Sequence, residues 1–197
     1  MLQRYSEARL PTPHGEFRIV VYRTGELAGP LGHEEHVAMV MGNPTGDGAL
    51  VRVHSSCFTG EVLGSLRCDC RAQLDAALAR IAREGRGVLV YLVQEGRGIG
   101  LGNKVRAYQL QDDGHDTVEA NLALGFDADH RSYDLAAGIL RDLGVGSVRL
   151  MTNNPDKRAG LEAAGVRVEA LESHWVGESE HNASYLESKR LKLGHLP

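Results

Sequence analysis

The spacing of apolar and polar positions divides the chain into predicted strands and helices. The first forty or so residues contain the short apolar runs of β-strands, and residues 17–22 and 36–41 are the clearest of these. A turn-rich stretch follows at residues 42–48, which contains three glycines and a proline. Residues 51–54 then predict a strand that leads into a segment containing cysteine.

From residue 73 the apolar period becomes that of a helix. Within residues 73–84 the apolar positions fall on one helical face, and Gly85 ends the run. Residues 88–93 are continuously apolar, which is typical of a strand buried on both faces of a sheet. After a Gly-rich stretch at residues 95–102, helices are predicted at residues 103–111 and from Thr117, which is expected to be the N-cap.

The last third of the chain alternates between the two periods. Helices are predicted around residues 135–140 (closed by Gly144), at 156–164 and at 182–194, and strands at 147–151 and 166–171. Strands that alternate with helices favour an α/β (α+β) fold, in which a mixed sheet containing some parallel strands is flanked by helices. The length of 197 residues predicts a single domain over residues 1–197.

Composition narrows the class of protein. A hydrophobic share of 42% and a charged share of 24% are those of a globular protein. The formal net charge of -4 argues against a dedicated nucleic-acid binder, although it leaves room for a local basic pocket that holds one small polyanion. Residues 1–21 lack the apolar core of a signal peptide, and no run approaches a membrane span. We therefore expect a cytoplasmic protein without membrane contacts.

The three cysteines, Cys57, Cys68 and Cys70, are clustered in sequence. Their odd number and close spacing argue against a disulfide framework, and in a reducing compartment such a cluster favours a zinc site. Three thiolates leave one position open on a tetrahedral ion, as in catalytic zinc sites, whereas His54 as a fourth ligand would close the site as a structural one. Free thiols near the surface are the remaining alternative.

The Gly-rich stretch at residues 95–104 (EGRGIGLGNK) lies between a buried strand and a helix, where α/β folds hold phosphate on backbone N–H groups. It matches neither a P-loop nor the dinucleotide fingerprint, and a tight turn is an equally good interpretation. Arg97 and Lys104 favour an anion site. Two further polar clusters, residues 129–131 and 152–157, are by themselves most simply solvated turns.

Taken together and in order, these segments resemble the GTP cyclohydrolase II family over nearly the whole chain. The resemblance is carried by Arg52-Val-His-Ser, Cys57-x-Thr-Gly, Ser65-Leu-Arg-Cys-Asp-Cys70, Gln94-Glu-Gly-Arg-Gly-Ile-Gly-Leu101, Asn103-Lys, Arg106-Ala-Tyr108, Asp116-Thr-Val-Glu-Ala-Asn121, Leu124-Gly-Phe, Asp129-x-Arg131, Thr152-Asn-Asn-Pro155 and Lys192-Leu-Gly-His-Leu196.

The resemblance implies an enzyme that opens the guanine imidazole ring of GTP and releases formate and pyrophosphate. The product would be 2,5-diamino-6-(5-phosphoribosylamino)pyrimidin-4(3H)-one, which begins riboflavin biosynthesis. The resemblance further implies one zinc ion per subunit, magnesium on the triphosphate and a homodimer. The chain has no room for the dihydroxybutanone-phosphate synthase domain of bifunctional relatives, so we expect the monofunctional form.

By the same resemblance, the motifs assign roles to individual residues. Cys57, Cys68 and Cys70 would hold zinc, and Tyr108 would donate a proton or position water near C8 of the base. Arg131 would attack the α-phosphate with Asp129 as its base, and plain electrostatic stabilisation by Arg131 is the alternative. The substrate contacts implied are Arg52, Val53, His54, Ser55, Ser56, Gln73, Glu95, Gly96, Arg97, Thr117, Thr152 and Lys157.

Four places depart from the family pattern. Ser56 replaces the usual glutamate beside the first cysteine, and Arg71 replaces the usual glycine after the third. Ser173-His-Trp175 stands where Arg-Val-Pro is typical, and residues 178–183 are also unusual. Loss of a carboxylate at Ser56 would remove either an acceptor for guanine N–H groups or an outer partner of the zinc site. A specialised paralogue with altered product or base specificity, and a non-catalytic nucleotide-binding protein, are therefore the alternatives.

Overall fold

The computed structural model of the chain describes residues 2–25, 34–126, 131–192 and 194. Its strands are β1 (Gln3–Thr12), β2 (Gly15–Thr24), β3 (Glu34–Met41), β4 (Ala49–Ser55), β5 (Gly87–Leu92), β6 (Ser147–Met151) and β7 (Arg167–Glu172). Its helices are α1 (Phe58–Glu61), α2 (Cys70–Glu84), α3 (Gly100–Asp112), α4 (Thr117–Ala123), α5 (Asp134–Asp142), α6 (Pro155–Ala163) and α7 (Ala183–Lys192).

The strands form one seven-stranded mixed sheet in the order β1-β2-β3-β5-β4-β6-β7. The β1, β2, β3 and β5 neighbours pair antiparallel, whereas β5, β4, β6 and β7 pair parallel. Parallel neighbours need a crossover connection, and helices supply each one. The prediction of a mixed α/β sheet flanked by helices is confirmed.

Both faces of the central strands β4 and β5 are buried, and β4 shows how its residues divide between the two faces. Leu50 packs with Ala77 and Ile81 of α2, while Val51 and Val53 pack on the other face with residues of α5 and α6. Because successive side chains of a strand point to opposite faces, Arg52 and His54 share the α2 side with Leu50. That side of β4 carries the polar residues of the site.

Most predicted elements are present, with shifts at their ends. The helix predicted from residue 73 begins at Cys70, the one predicted from residue 103 begins at Gly100, and β1 adds a polar, largely exposed strand. The N-cap of α4 is Asp116 and not Thr117, so that prediction was wrong. The Asp116 carboxylate accepts hydrogen bonds from two backbone N–H groups, and Glu119 completes the capping box, which a threonine one residue later cannot do.

Among the described residues, no helix is both long enough and apolar enough to cross a membrane. The predicted base Asp129 lies outside the described residues, and Arg131 lies just inside them. The single-domain interpretation of the whole chain stays a prediction.

Candidate active site

A cavity lies at the carboxyl ends of the four parallel strands. Ser55 ends β4 and Ser56 follows it, Gln94 follows β5, Thr152 follows β6 and His174 follows β7, and all five residues line this cavity. In open α/β sheets, ligands bind at the carboxyl edge of the strands because the connecting loops meet there. The topology therefore brings together segments that are far apart in sequence.

The three cysteines form one cluster at the cavity. Cys57 lies between β4 and α1, and Cys70 is the first residue of α2. The three Sγ atoms all lie within 4.8 Å of one another, and Cys57 Sγ is 3.6 Å from Cys68 Sγ. Gly60 allows this approach, because a Cβ there would lie 2.8 Å from Cys68 Sγ and 3.2 Å from Cys57 Sγ.

The cysteine cluster fits zinc. Two sulfurs bound to one tetrahedral zinc ion lie roughly 3.8 Å apart, which follows from a Zn–S bond of ~2.3 Å, and the separation of Cys57 and Cys68 is close to this. His54 does not join the cluster. Its Nε2 lies 2.7 Å from the buried Glu61 carboxylate, and its ring stacks on Tyr91. Within the described part of the chain, the ligand set is three thiols, which matches the open rather than the closed type of site.

A buried cation compensates the charge of the thiols. Lys104 Nζ lies 3.0 Å from Cys57 Sγ and donates to Glu95 Oε1 at 2.6 Å. Burial alone would lower the pKa of Lys104, but its hydrogen bonds to Glu95 and Cys57 raise that pKa above its ordinary value. Hydrogen bonds from Cys68 and Cys70, assisted by Lys104, hold the pKa of Cys57 well below its usual range. The contact with Lys104 thus favours the thiolate form of Cys57.

Tyr108 on α3 stands beside the cysteine cluster. Its hydroxyl lies 3.2 Å from Thr59 Oγ1, which is itself 3.7 Å from Cys57 Sγ. The guanidinium of Arg67 lies 4.9 Å from the centre of the Tyr108 ring. Burial raises the pKa of Tyr108, so its phenol stays protonated at neutral pH and is able to donate a hydrogen bond.

Several buried polar atoms around the cavity have no hydrogen-bond partner among the described residues. They belong to residues that line the cavity, and they are Arg52 Nε, His54 Nδ1, Ser55 Oγ and Gln94 Oε1. The rest of the Arg52 guanidinium is fixed, since it donates to Met151 O at 2.8 Å and to the Gln73 side chain. Burial lowers the pKa of Arg52 to about 10, which still leaves it charged at neutral pH. Unpartnered buried polar groups are costly, and a ligand that pairs with them recovers that cost.

The Gly-rich stretch forms the turn Glu95–Gly98 ahead of α3, and Gly96 and Arg97 line the cavity. Among the described residues other than glycine, Arg97 alone has a positive φ, of 61°. A left-handed backbone at a non-glycine residue is strained, and such strain concentrates at functional sites. Whether this turn holds phosphate stays a prediction.

Most sequence-predicted site residues line the cavity. They are Arg52, His54, Ser55, Ser56, Gln73, Gly96, Arg97, Tyr108, Thr117, Arg131, Thr152 and Lys157, together with the three cysteines.

Two predicted contacts, Val53 and Glu95, do not line the cavity. Val53 points into the apolar core on the opposite face of β4, and only its carbonyl oxygen faces the site, where it accepts a hydrogen bond from Lys157 Nζ at 2.9 Å. The Glu95 carboxylate accepts from Phe58 N and Lys104 Nζ, each at 2.6 Å. Glu95 thus links α1 and α3 and fixes the cation next to Cys57.

The cavity also contains residues that the sequence motifs do not assign to the site. Asn153 and Asn154 lie inside a quoted motif, and Gln94 and Asn121 lie at the ends of two others, so the motifs could have indicated them. From the sequence, Lys104 is only a charge that favours an anion site. His174, Trp175 and Tyr185 have no motif signal, because they reach the cavity through the path of the chain after β7.

The departures at Ser56 and Arg71 have definite contacts. Ser56 Oγ accepts a hydrogen bond from Gln94 N at 3.1 Å, so it ties the ends of β4 and β5 together. Arg71 donates to Glu61 O at 3.0 Å, which holds α1 against α2. Ser56 therefore fixes the loops at the cavity but presents no carboxylate to it.

Comparison with known proteins identifies relatives. The family model described as GTP cyclohydrolase II matches residues 3–172. The riboflavin biosynthesis protein RibBA of Salinispora tropica is 56% identical over 194 residues, which cover 97% of this chain and 47% of that protein. RibBA of Bacillus subtilis is 54% identical over 198 residues, which cover 100% of this chain and 48% of that protein. The chain thus spans about half the length of the curated relatives it matches, and the monofunctional form stays a prediction.

Proposed function

The chain belongs to the GTP cyclohydrolase II family, and from that membership we propose that it hydrolyses GTP in the riboflavin pathway. The proposed products are formate, pyrophosphate and 2,5-diamino-6-(5-phosphoribosylamino)pyrimidin-4(3H)-one. A first water adds at C8 and opens the imidazole ring to a formamide, and a second water releases formate. In the net reaction, a third water is consumed when the bond between the α- and β-phosphates is cleaved.

One observation carries this proposal. The cluster of metal-binding thiols and the unpartnered buried polar atoms belong to residues that line the same cavity. His54 Nε2 faces the Glu61 carboxylate and carries the proton, which leaves Nδ1 as an acceptor, and Gln94 Oε1 is a second acceptor. Guanine offers N–H donors at N1 and at its exocyclic amine, and an acceptor at O6. The acceptors His54 Nδ1 and Gln94 Oε1 complement its donors, and Arg52 Nε–H complements its acceptor.

Zinc is the proposed ion of the thiol cluster. Cys57, Cys68 and Cys70 would hold it, and when bound it supplies the Lewis acidity that makes water a nucleophile near neutral pH. Lys104 would offset part of the negative charge of three thiolates. Thr59 and Tyr108 stand next to Cys57, so the chemistry at C8 is expected on this side of the cavity.

Tyr108 is the proposed proton donor at the base. Its phenol is protonated at neutral pH, and its hydroxyl can hydrogen-bond a ring nitrogen or orient the attacking water. The retained tyrosine supports complete ring opening with formate release rather than arrest at the formamide.

The phosphate end of the substrate is assigned to basic residues of the cavity. Arg131 and Lys157 both line it, and Lys157 is fixed by its hydrogen bond to Val53 O. We assign to Arg131 the electrostatic stabilisation of the α-phosphate, because a guanidinium is protonated at neutral pH and is a poor nucleophile. Covalent attack by Arg131 with Asp129 as base is the alternative. Magnesium on the triphosphate, a homodimeric assembly and a cytoplasmic location complete the proposal.

Ser56 favours a second candidate, a paralogue that acts on GTP with altered base specificity. No carboxylate is present at this position of the cavity, and Ser56 Oγ is engaged with Gln94 N. Such a paralogue would use the same cavity and the same zinc chemistry, but it would discriminate less strongly between guanine and other purines.

The experiment that tests the proposal measures the two products separately. Purified protein is incubated with GTP, zinc and magnesium, and formate and pyrophosphate are each quantified over time. Equal amounts of both products are expected. Pyrophosphate without formate would indicate a truncated reaction, and absence of both products would refute the proposed enzyme. The triple variant with all three cysteines replaced by serine is the control for zinc-dependent formate release.

A further inference from the structure

The segment after β7 supplies a wall of the cavity. It begins at residue 173, just beyond the part of the chain that the family model matches, and three of its residues line the cavity: His174, Trp175 and Tyr185. Trp175 lies in the tripeptide that departs from the family pattern. The cavity wall of this chain therefore contains a tryptophan at a position where the family pattern has another residue.

His174 fixes the start of this segment. Its backbone N–H donates to Asn153 Oδ1 at 2.7 Å, and its Nε2–H donates to Gln73 O at 2.8 Å. Both partners also line the cavity: Asn153 follows β6, and Gln73 lies in the first turn of α2. His174 is 5% exposed, and both its backbone N–H and its ring are hydrogen-bonded. Trp175, the next residue, therefore has a defined position at the cavity.

The chain then crosses the beginning of α2. A Cβ at Gly177 would lie 2.6 Å from Ala72 Cβ, and its φ of 80° also favours glycine, so the backbone passes directly against the helix that carries Cys70. Asn182 Nδ2 donates to Gly177 O at 2.8 Å, and Asn182 Oδ1 accepts from Ser179 N at 2.9 Å. These bonds close residues 177–182 into a compact loop, after which α7 brings Tyr185 back to the cavity.

The two aromatic residues of this segment change the character of the cavity. Most of its other described lining residues are polar or charged. Apart from the histidines, the one other aromatic residue among these described lining residues is Tyr108. Arg67 and Lys104 lie near the ring of Tyr108, which stands beside the cysteines. Trp175 and Tyr185 add two aromatic rings to the cavity wall, on the side formed by the segment after β7. Rings of this kind are the usual partners of nucleobases, because every base presents a π-face.

We propose that Trp175 and Tyr185 contact the purine ring of the bound nucleotide and hold it within reach of the thiol cluster. The inference rests on the proposed function for the identity of the nucleotide. It assigns to residues 173–185 a role in binding the base, which is separate from the chemistry at the cysteines and from the contacts to the phosphates.

Trp175 makes the inference directly measurable, because it is the single tryptophan of the chain. Zinc-stripped, reduced protein is titrated with GTP while tryptophan fluorescence is recorded, and calorimetry measures binding independently. Saturable quenching that follows the calorimetric isotherm is expected with GTP, and no quenching is expected with inorganic triphosphate. Equal quenching by inorganic triphosphate, or GTP binding without any change in fluorescence, would overturn the inference.

Variants separate base contact from support of the fold. Replacement of a stacking side chain by alanine is expected to raise the KM for GTP about tenfold, with kcat changed less than about threefold. Trp175→Ala and Tyr185→Ala should both show this, and Trp175→Phe should restore most of the affinity. Leu191→Ala is the matched control, since Leu191 lies on α7 and is 72% exposed.

The two proposals fail in different ways. Unchanged KM in the alanine variants, alongside normal formate release by the wild type, would refute the base contact and leave the proposed reaction intact. GTP-specific quenching in a protein that releases no formate would support the base contact and refute the reaction.

Discussion

The ammonium group of Lys104 lies 3.0 Å from Cys57 Sγ, and the Glu95 carboxylate holds it there from the other side. The side chains of Lys104 and Glu95 are only 12% and 13% exposed, so solvent screens this contact weakly. A cation in this position stabilises the thiolate form of Cys57 and therefore the state that binds a metal.

Removal of this cation should weaken zinc binding. Lys104→Met keeps most of the side-chain volume but loses the charge, and loss of such an outer partner typically costs about 10- to 100-fold in metal affinity. Competition for zinc against a chromophoric chelator measures the change. Arg106→Met, on the exposed side of the same helix, is the control, and equal affinity of the two variants would contradict the role of Lys104.

Tyr108→Phe should separate the two ends of the reaction. Loss of a general acid typically slows the affected step by about 10²–10⁴-fold, so formate release should fall by roughly that factor while pyrophosphate release continues. Formate and pyrophosphate are assayed in the same reaction. The remote Tyr5→Phe is the control, and formate release at the wild-type rate in Tyr108→Phe would exclude the phenol from the mechanism.

Ser56→Glu should increase discrimination for guanine. The glutamate adds an acceptor for guanine N–H donors, and a hydrogen bond to a charged group is worth about 1.5–3 kcal/mol, so the ratio of kcat/KM for GTP over inosine triphosphate should rise at least about tenfold. Inosine triphosphate lacks the exocyclic amine and therefore isolates this contact.

The neutral variant Ser56→Gln is the control for side-chain size. It should leave the ratio nearer to that of the wild type, because an amide oxygen is a weaker acceptor than a carboxylate. If Ser56→Glu leaves the ratio unchanged, the serine has no part in base recognition and the departure from the family pattern is neutral.

His174 should make the fold sensitive to mild acid. Burial lowers the pKa of His174 from 6.5 to about 4, so the unfolded chain binds a proton there more tightly than the folded protein does. Its stabilising contribution is therefore complete above about pH 6.5 and is lost as the pH falls towards 4. Between pH 7.5 and 5 the loss amounts to about 2 kcal/mol.

Urea denaturation at both pH values measures this loss. His174→Gln keeps an N–H donor for Gln73 O but does not titrate, so its free energy of unfolding should change less with pH than that of the wild type. His181→Gln, at a largely exposed histidine, should keep the wild-type dependence. The same pH dependence in all three proteins would show that His174 is protonated at no cost to the fold.

The sequence predicted the elements well because their signals are local. The continuous apolar run of β5 and the one-sided apolar face of α2 are each visible within a single segment of the sequence. Gly85, with a φ of 73°, ends α2 as its position in the sequence suggested. The N-cap of α4 was misplaced by one residue, since two neighbouring residues of capping type, Asp116 and Thr117, cannot be distinguished without the backbone geometry.

The sequence by itself identified the candidate metal ligands, because Cys57, Cys68 and Cys70 lie within fourteen residues of one another, and the fold brings their sulfurs within 4.8 Å. Only the tertiary structure decided what surrounds them. The order β5-β4-β6-β7 brings the ends of four parallel strands together, so Lys104, His174 and Trp175 line the same cavity as the cysteines despite long sequence separations. The tertiary structure also places the Val53 side chain in the apolar core and pairs Glu95 with Lys104. These contacts depend on residues from other elements, which the linear pattern of the chain does not show.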